Sequence, residues 1–130
     1  GSGRFLGVAE DAQHLLRVDR TLHQQRADLD VLTGLAKHPN VAVKLSGAPS
    51  YSSDVYPYRN IHQYIKRLVE AFGPQRSFWG TDVTRMPCSY RQSITLFTEE
   101  LPWLSSEDKE WMMGRGLCEW LGWPLPMAKA

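Results

Sequence analysis

The sequence predicts an α/β fold built on a parallel sheet. Two observations carry this reading. From Asp28 onward the patterning runs helix, strand, helix, strand, helix, helix, and strands that alternate with helices lie parallel, joined by crossovers. The two clearest strand candidates, Val41 to Leu45 and Arg76 to Thr81, each lead into polar residues, Ser46-Gly47 and Asp82.

The elements follow in order. Gly1-Ser2-Gly3 reads as a cloning scar, and Arg4 to Val8 as a short first strand. From Asp11 to Lys37, Leu15, Val18, Leu22, Leu29, Leu32 and Ala36 recur at helical spacing. Gln24-Gln25-Arg26 interrupts the stripe, which favours two helices, the second opening on Asp28 and Asp30. His38-Pro39 stops it, because the residue before a proline is pushed out of the α region. Val41 to Leu45 is then a strand, and Ala48 to Arg59 a long loop with two Pro and three Tyr. Ile61, Tyr64, Ile65, Leu68, Val69 and Phe72 form one apolar helical stripe. Asn60 is placed to cap that helix, Gly73-Pro74 to end it, and Lys66 with Glu70 to pair on its outside. After the second strand, Tyr90, Ile94, Phe97 and Leu101 mark another helix face, closed by Pro102. Ser105 and Asp108 predict a capping box for a last helical stretch through Leu121, broken by Gly114-Arg115-Gly116. Gly122 and Pro124 end it, and Pro126 to Ala130 reads as a frayed tail.

Composition narrows the function. In 130 residues, 15 Lys and Arg face 14 Asp and Glu, a net charge of +1. That excludes the clustered basic excess of a general nucleic-acid binder. A hydrophobic content of 42% supports one folded domain and argues against disorder. No apolar run approaches the ~18 residues of a membrane span, and no signal peptide opens the chain. Cys88 and Cys118 form no CxxC unit, which points to a reduced, cytoplasmic protein.

In parallel α/β folds, ligands bind outside the C-terminal ends of the strands. That rule selects two places here. One is Lys44, Ser46 and the loop carrying Tyr51, Tyr56, Tyr58 and Arg59. The other is Asp82, with Thr84 and Arg85 beyond it. Asp82 is either a general base or metal ligand, or a capping residue for the next turn. Arg59 and Arg85 either clamp a substrate carboxylate or make surface ion pairs. Lys44 either points into an interior as a cation near the site or snorkels from an edge. Cys88 has no histidine partner to make it a nucleophile. His14, His23, His38 and His62 show no metal-ligand spacing, so surface or capping roles are expected for all four and no metal site is expected from this chain. Trp103, Trp111, Trp120 and Trp123 read as core or interface.

Two stretches resemble a known family. One is His-Pro-Asn-Val-Ala-Val-Lys-Leu-Ser-Gly, residues 38 to 47, followed by Tyr56-Pro57-Tyr58. The other is Leu68-Val69-Glu70-Ala71-Phe72-Gly73-Pro74, then Arg76, then Trp79-Gly80-Thr81-Asp82. Leu101 to Ser105 through Met113-Gly114 also fits. Together they resemble the last part of the (β/α)8 barrel of amidohydrolase-related hydrolases, a family with lactonases and decarboxylases. The resemblance implies that Asp82 takes a proton from the attacking water, and that Ser46 to Arg59 line the pocket. The family's His-x-His after its first strand has no counterpart here. A full barrel takes about 250 residues, roughly twice this length.

The expected fold is therefore a partial, truncated TIM-type barrel with about three parallel strands and flanking helices. Within one domain, residues 4–27 form a divergent N-terminal segment, 28–122 the region of resemblance and 123–130 a tail. The expected catalytic residue is Asp82, and the expected substrate contacts are Lys44, Ser46, Tyr51, Tyr58, Arg59 and Arg85, with no metal or cofactor. The ligand class is a small carbonyl or carboxylate compound. The alternative is an inactive truncated barrel that oligomerises or binds a small ligand. Three parallel strands leave both sheet edges and one face open, so a homo-oligomer, most simply a dimer, is expected.

Overall fold

The computed structural model describes residues 4–5 and 29–126. The expected strand beyond Phe5, the helical pattern before Leu29 and the last four residues of the tail lie outside the described residues. Strands β1 (Arg4–Phe5), β2 (Val41–Lys44) and β3 (Ser77–Phe78) pair in that order, both pairings parallel. Register sets Arg4 opposite Val41, and Val43 opposite Ser77. β3 is shorter than the sequence predicts. Pro74 opens a 3-10 turn that takes in Arg76, so the strand begins only at Ser77.

Helix α1 (residues 29–34) tightens into a 3-10 turn, Leu35–Lys37, and buries Leu29 and Leu32. Helix α2 (Arg59–Phe72) buries Ile61, Ile65, Leu68, Val69 and Phe72, most of the predicted stripe. It stops at Gly73, whose left-handed φ of 79° lets its N–H reach Val69 O at 2.7 Å. Its start differs from expectation. Tyr58, in the left-handed region, is the N-cap, and Asn60 instead bonds Ser52 and Ser53 in the preceding loop.

Helix α3 (Tyr90–Thr98) buries Ser93, Leu96 and Phe97, and Leu101 just beyond it is fully buried as predicted, whereas Tyr90 is 61% exposed. The Trp79 indole N–H donates to Ser93 O at 3.0 Å, and the small Ser93 lets that wide ring against the helix. A capping box of Ser89 and Gln92 fixes its start. Helix α4 (Ser106–Glu110) opens on the predicted Ser105–Asp108 box, with reciprocal bonds of 3.0 Å. It runs through a π-turn, Trp111–Arg115, kinked at Gly114, into α5 (Gly116–Leu121).

The two sheet faces have different fates, because strand side chains alternate. Val41, Val43 and Leu45 join the apolar core made with α1, α2 and α3. Ala42, Lys44 and Ser46 fall on the other face. Phe78 lies opposite Lys44 in the register and meets Trp120 edge-on at 6.0 Å. The C-terminal segment thus wraps the outer edge of β3. Met112 is in the core, its carbonyl accepts the Trp79 N–H at 3.0 Å, and Trp120 covers Phe78. The edge expected to be open is hydrogen-bonded at that point.

Arg76 ties the layers together. Its guanidinium donates to Ala36 O at 2.9 Å and to His38 O and Val41 O at 2.8 Å, joining the end of α1 to the start of β2. No helix among the described residues is long and apolar enough to cross a membrane.

Candidate active site

The C-terminal ends of β2 and β3 meet at two glycines. Gly47 follows β2 with φ 71°, a left-handed conformation that glycine adopts freely. A Cβ placed there would lie 2.9 Å from Asp82 Oδ2. A Cβ at Gly80 would lie 2.8 Å from Ser46 Cβ. Each glycine therefore makes room for a polar side chain of the other strand end, Gly47 for Asp82 and Gly80 for Ser46. Neither role was foreseen from sequence, although Ser46-Gly47 directly after an apolar strand was the available signal.

The two readings of Asp82 separate on its hydrogen bonds. Its backbone O accepts from Arg85 N–H at 2.8 Å and starts a 3-10 turn, Val83–Arg85, but its side chain makes no capping bond. Among the described residues no hydrogen bond or ion pair reaches the carboxylate, and the residue is only half-exposed. Its φ of 44° is left-handed in a non-glycine residue, a conformation that costs about 1–2 kcal/mol. The left-handed backbone and the side chain without a capping bond set Asp82 apart from an ordinary N-cap.

The other predicted residues lie as follows. Ser46 is 7% exposed, and its Oγ has no hydrogen-bond partner among the described residues. Lys44 is exposed and shares a sheet face with Ser46, the face opposite the helical core. Arg59 opens α2 and Arg85 closes the turn after Asp82; both are exposed. Tyr51 ends a 3-10 turn, Ala48–Tyr51, and its side chain lies outside the described residues. Tyr58 is 4% exposed, its ring edge-on to Tyr56 at 5.9 Å, so it forms the wall of the loop rather than an open contact. The Tyr56 hydroxyl and Thr95 Oγ1 are 2.5 Å apart, which joins this loop to α3.

Burial, then the neighbouring Cys88 thiol, pushes the Tyr58 hydroxyl from 10.0 up to about 12. The neutral phenol is thus favoured by folding. The stability it gives is complete below pH 10 and is lost as pH rises through about 12. A chemical-denaturation series from pH 8 to 12 is expected to show this fall in wild type and a smaller one in Tyr58→Phe. Equal slopes would contradict the assignment.

The amidohydrolase family model (Amidohydro_2) matches residues 18–125. The chain belongs to the amidohydrolase family. It is similar to a crystal structure of an amidohydrolase from Burkholderia multivorans with bound HEPES. The TM-score is 0.74 and the identity 26%, over 92% of this chain and 44% of that one. A second structure of an amidohydrolase from the same organism, with bound zinc, gives 0.67 and 28%, over 85% and 40%. This chain therefore spans less than half the length of these amidohydrolases. No curated protein matches it.

The zinc in one of those structures raises the question of a metal here. Among the described residues, no three of His, Cys, Asp and Glu converge as ligands. His62 Nε2 lies 2.6 Å from Pro57 O, and His38 is exposed at the opposite end of β2. Among the described residues, the strand ends bring together one carboxylate and one serine hydroxyl, fewer donors than a zinc site uses.

Proposed function

We propose that this amidohydrolase-family chain hydrolyses lactones or related small carbonyl compounds, with Asp82 as the base that activates water. One observation carries the proposal: the unpartnered carboxylate of Asp82, held in a strained backbone over Gly47 at the strand ends. The carboxylate takes a proton from water as the water oxygen bonds to the lactone carbonyl carbon. The ring C–O bond then breaks, and the departing oxygen takes the proton back from Asp82. The product is a hydroxy acid, and the base is regenerated. In this reading Lys44, Arg59 and Arg85 supply positive charge suited to a carboxylate on the substrate, and Ser46, Tyr51 and Tyr58 are the further substrate contacts. Decarboxylation is the other family chemistry that the same residues would serve. A panel of small lactones, followed by acid release, tests the proposal.

A second reading is favoured by the apolar surface at the C-terminal end. Leu121, Trp123 and Leu125 are exposed by 40%, 62% and 54%. In this reading the chain is a non-catalytic half-barrel that covers its open face with a second copy. Light scattering at micromolar concentration is expected to give a dimer mass. A 14.8 kDa species that persists at high concentration would contradict it.

A further inference from the structure

We infer that a cleft at the N-terminal ends of β2 and β3 binds a small zwitterion, an α-amino acid with an apolar side chain. The cleft has a volume of about 450 Å³, within the range of ~300–1,000 Å³ for small-ligand pockets. Pro39 lines it just before β2, and Pro74 and Arg76 line it just before β3. Glu107 and Asp108 of α4 and Trp111 of the π-turn form the opposite wall. Asp82 follows the C-terminal end of β3. The cleft is therefore separate from the site at Asp82 and does not depend on the hydrolase reading.

The charges in the cleft select the ligand. A guanidinium carries five N–H donors, and the bonds of Arg76 to Ala36 O, His38 O and Val41 O engage three of them. Two remain. Glu107 and Asp108 line the same cleft, yet among the described residues no ion pair joins either of them to Arg76. Asp108 uses one carboxylate oxygen to accept the Ser105 N–H at 3.0 Å, and Glu107 is exposed. Opposite charges thus share a cleft without meeting. A simple anion would bond Arg76 but face two carboxylates, and a simple cation would bond Glu107 but face the guanidinium; like charges brought together oppose binding. A zwitterion avoids both conflicts. Its carboxylate accepts from the spare Arg76 donors and its ammonium donates to Glu107, so both bonds are charge-assisted. Pro39, Pro74 and Trp111 supply apolar lining for a side chain, and Arg115 sits 4.2 Å from the Trp111 ring centroid.

L-Leucine is the probe, compared with two analogues of the same carbon chain. Isoamylamine lacks the carboxylate, and isocaproate lacks the ammonium. Each is titrated into the full chain while the Trp111 indole N–H resonance is followed by NMR. Leucine is expected to shift that resonance saturably at millimolar concentration. Each analogue is expected to bind at least about tenfold more weakly, the scale of one lost charge-assisted hydrogen bond. Glu107→Gln changes an exposed side chain and is expected to keep the thermal transition of wild type. It should lower leucine affinity by about tenfold while isocaproate binds no more weakly than before, because only the ammonium partner is lost. No shift of Trp111 with leucine overturns the inference. So does either analogue binding as tightly as leucine, which would mark a simple anion or cation site. A folded Glu107→Gln variant that binds leucine as wild type does overturns it as well.

Discussion

Arg76→Ala is expected to destabilise the chain by about 3 kcal/mol. The guanidinium donates to three carbonyls, those of Ala36, His38 and Val41. Removing it strips all three acceptors at once, two of them partly buried. It also removes the cation stacked on the Phe72 ring, 5.5 Å from its centroid. Arg76→Lys is expected to recover less than half of the loss, because one ammonium cannot span the three acceptors of a planar fork. Urea unfolding of the two variants beside wild type measures both effects. A loss of less than about 1 kcal/mol in Arg76→Ala, the scale of an exposed contact, would show that the three bonds are solvent-exchanged.

Gly47→Ala is expected to lose about 2 kcal/mol and to displace Asp82. Two costs add. The left-handed backbone at φ 71° costs alanine about 1 kcal/mol or more. Its Cβ would then lie 2.9 Å from Asp82 Oδ2, closer than side-chain contacts allow, so the carboxylate must move. Gly122 provides the control. Its φ is 70°, but nothing lies within 4 Å of a Cβ built there. Gly122→Ala should therefore carry the backbone cost alone. Thermal unfolding of the two variants, with the Asp82 resonances followed by NMR, isolates the contact. Identical behaviour of the two alanines, with Asp82 unmoved, would mean that Asp82 does not rest on Gly47.

The parts of this fold legible from sequence were those fixed by local pattern. The α2 stripe, its stop at Gly73-Pro74, the β2 strand and the Ser105–Asp108 box each depend on residues close together in the chain. Parallel pairing followed from the alternation of strand and helix. The misses arose where a distant partner decides. Tyr90 fits the α3 stripe, but its ring meets Trp79 edge-on at 6.4 Å and stays 61% exposed. Asn60 has the chemistry of a cap, but Ser52 and Ser53 claim its amide. The edge of β3 looked open because nothing in the spacing of Trp111 to Gly116 announces that Met112 O reaches Trp79 N–H. The same limit applies at the site. Position after an apolar strand marked Asp82 and Ser46, but could not separate a capping carboxylate from an idle one. The absent side-chain capping bond and the left-handed backbone at Asp82 are visible only in three dimensions.

The central claim is that the Asp82 carboxylate performs chemistry rather than holding the fold. Comparing lactone hydrolysis by wild type and Asp82→Asn tests it most directly. Asparagine tolerates the left-handed backbone as well as aspartate does, and its side-chain oxygen can still accept a hydrogen bond. The variant is therefore expected to unfold within about 1 kcal/mol of wild type, the upper scale of a lost cap. Its turnover is expected to fall by at least about a hundredfold, the scale of losing a general base. A variant that hydrolyses as fast as wild type, or one whose thermal transition collapses, would contradict the account.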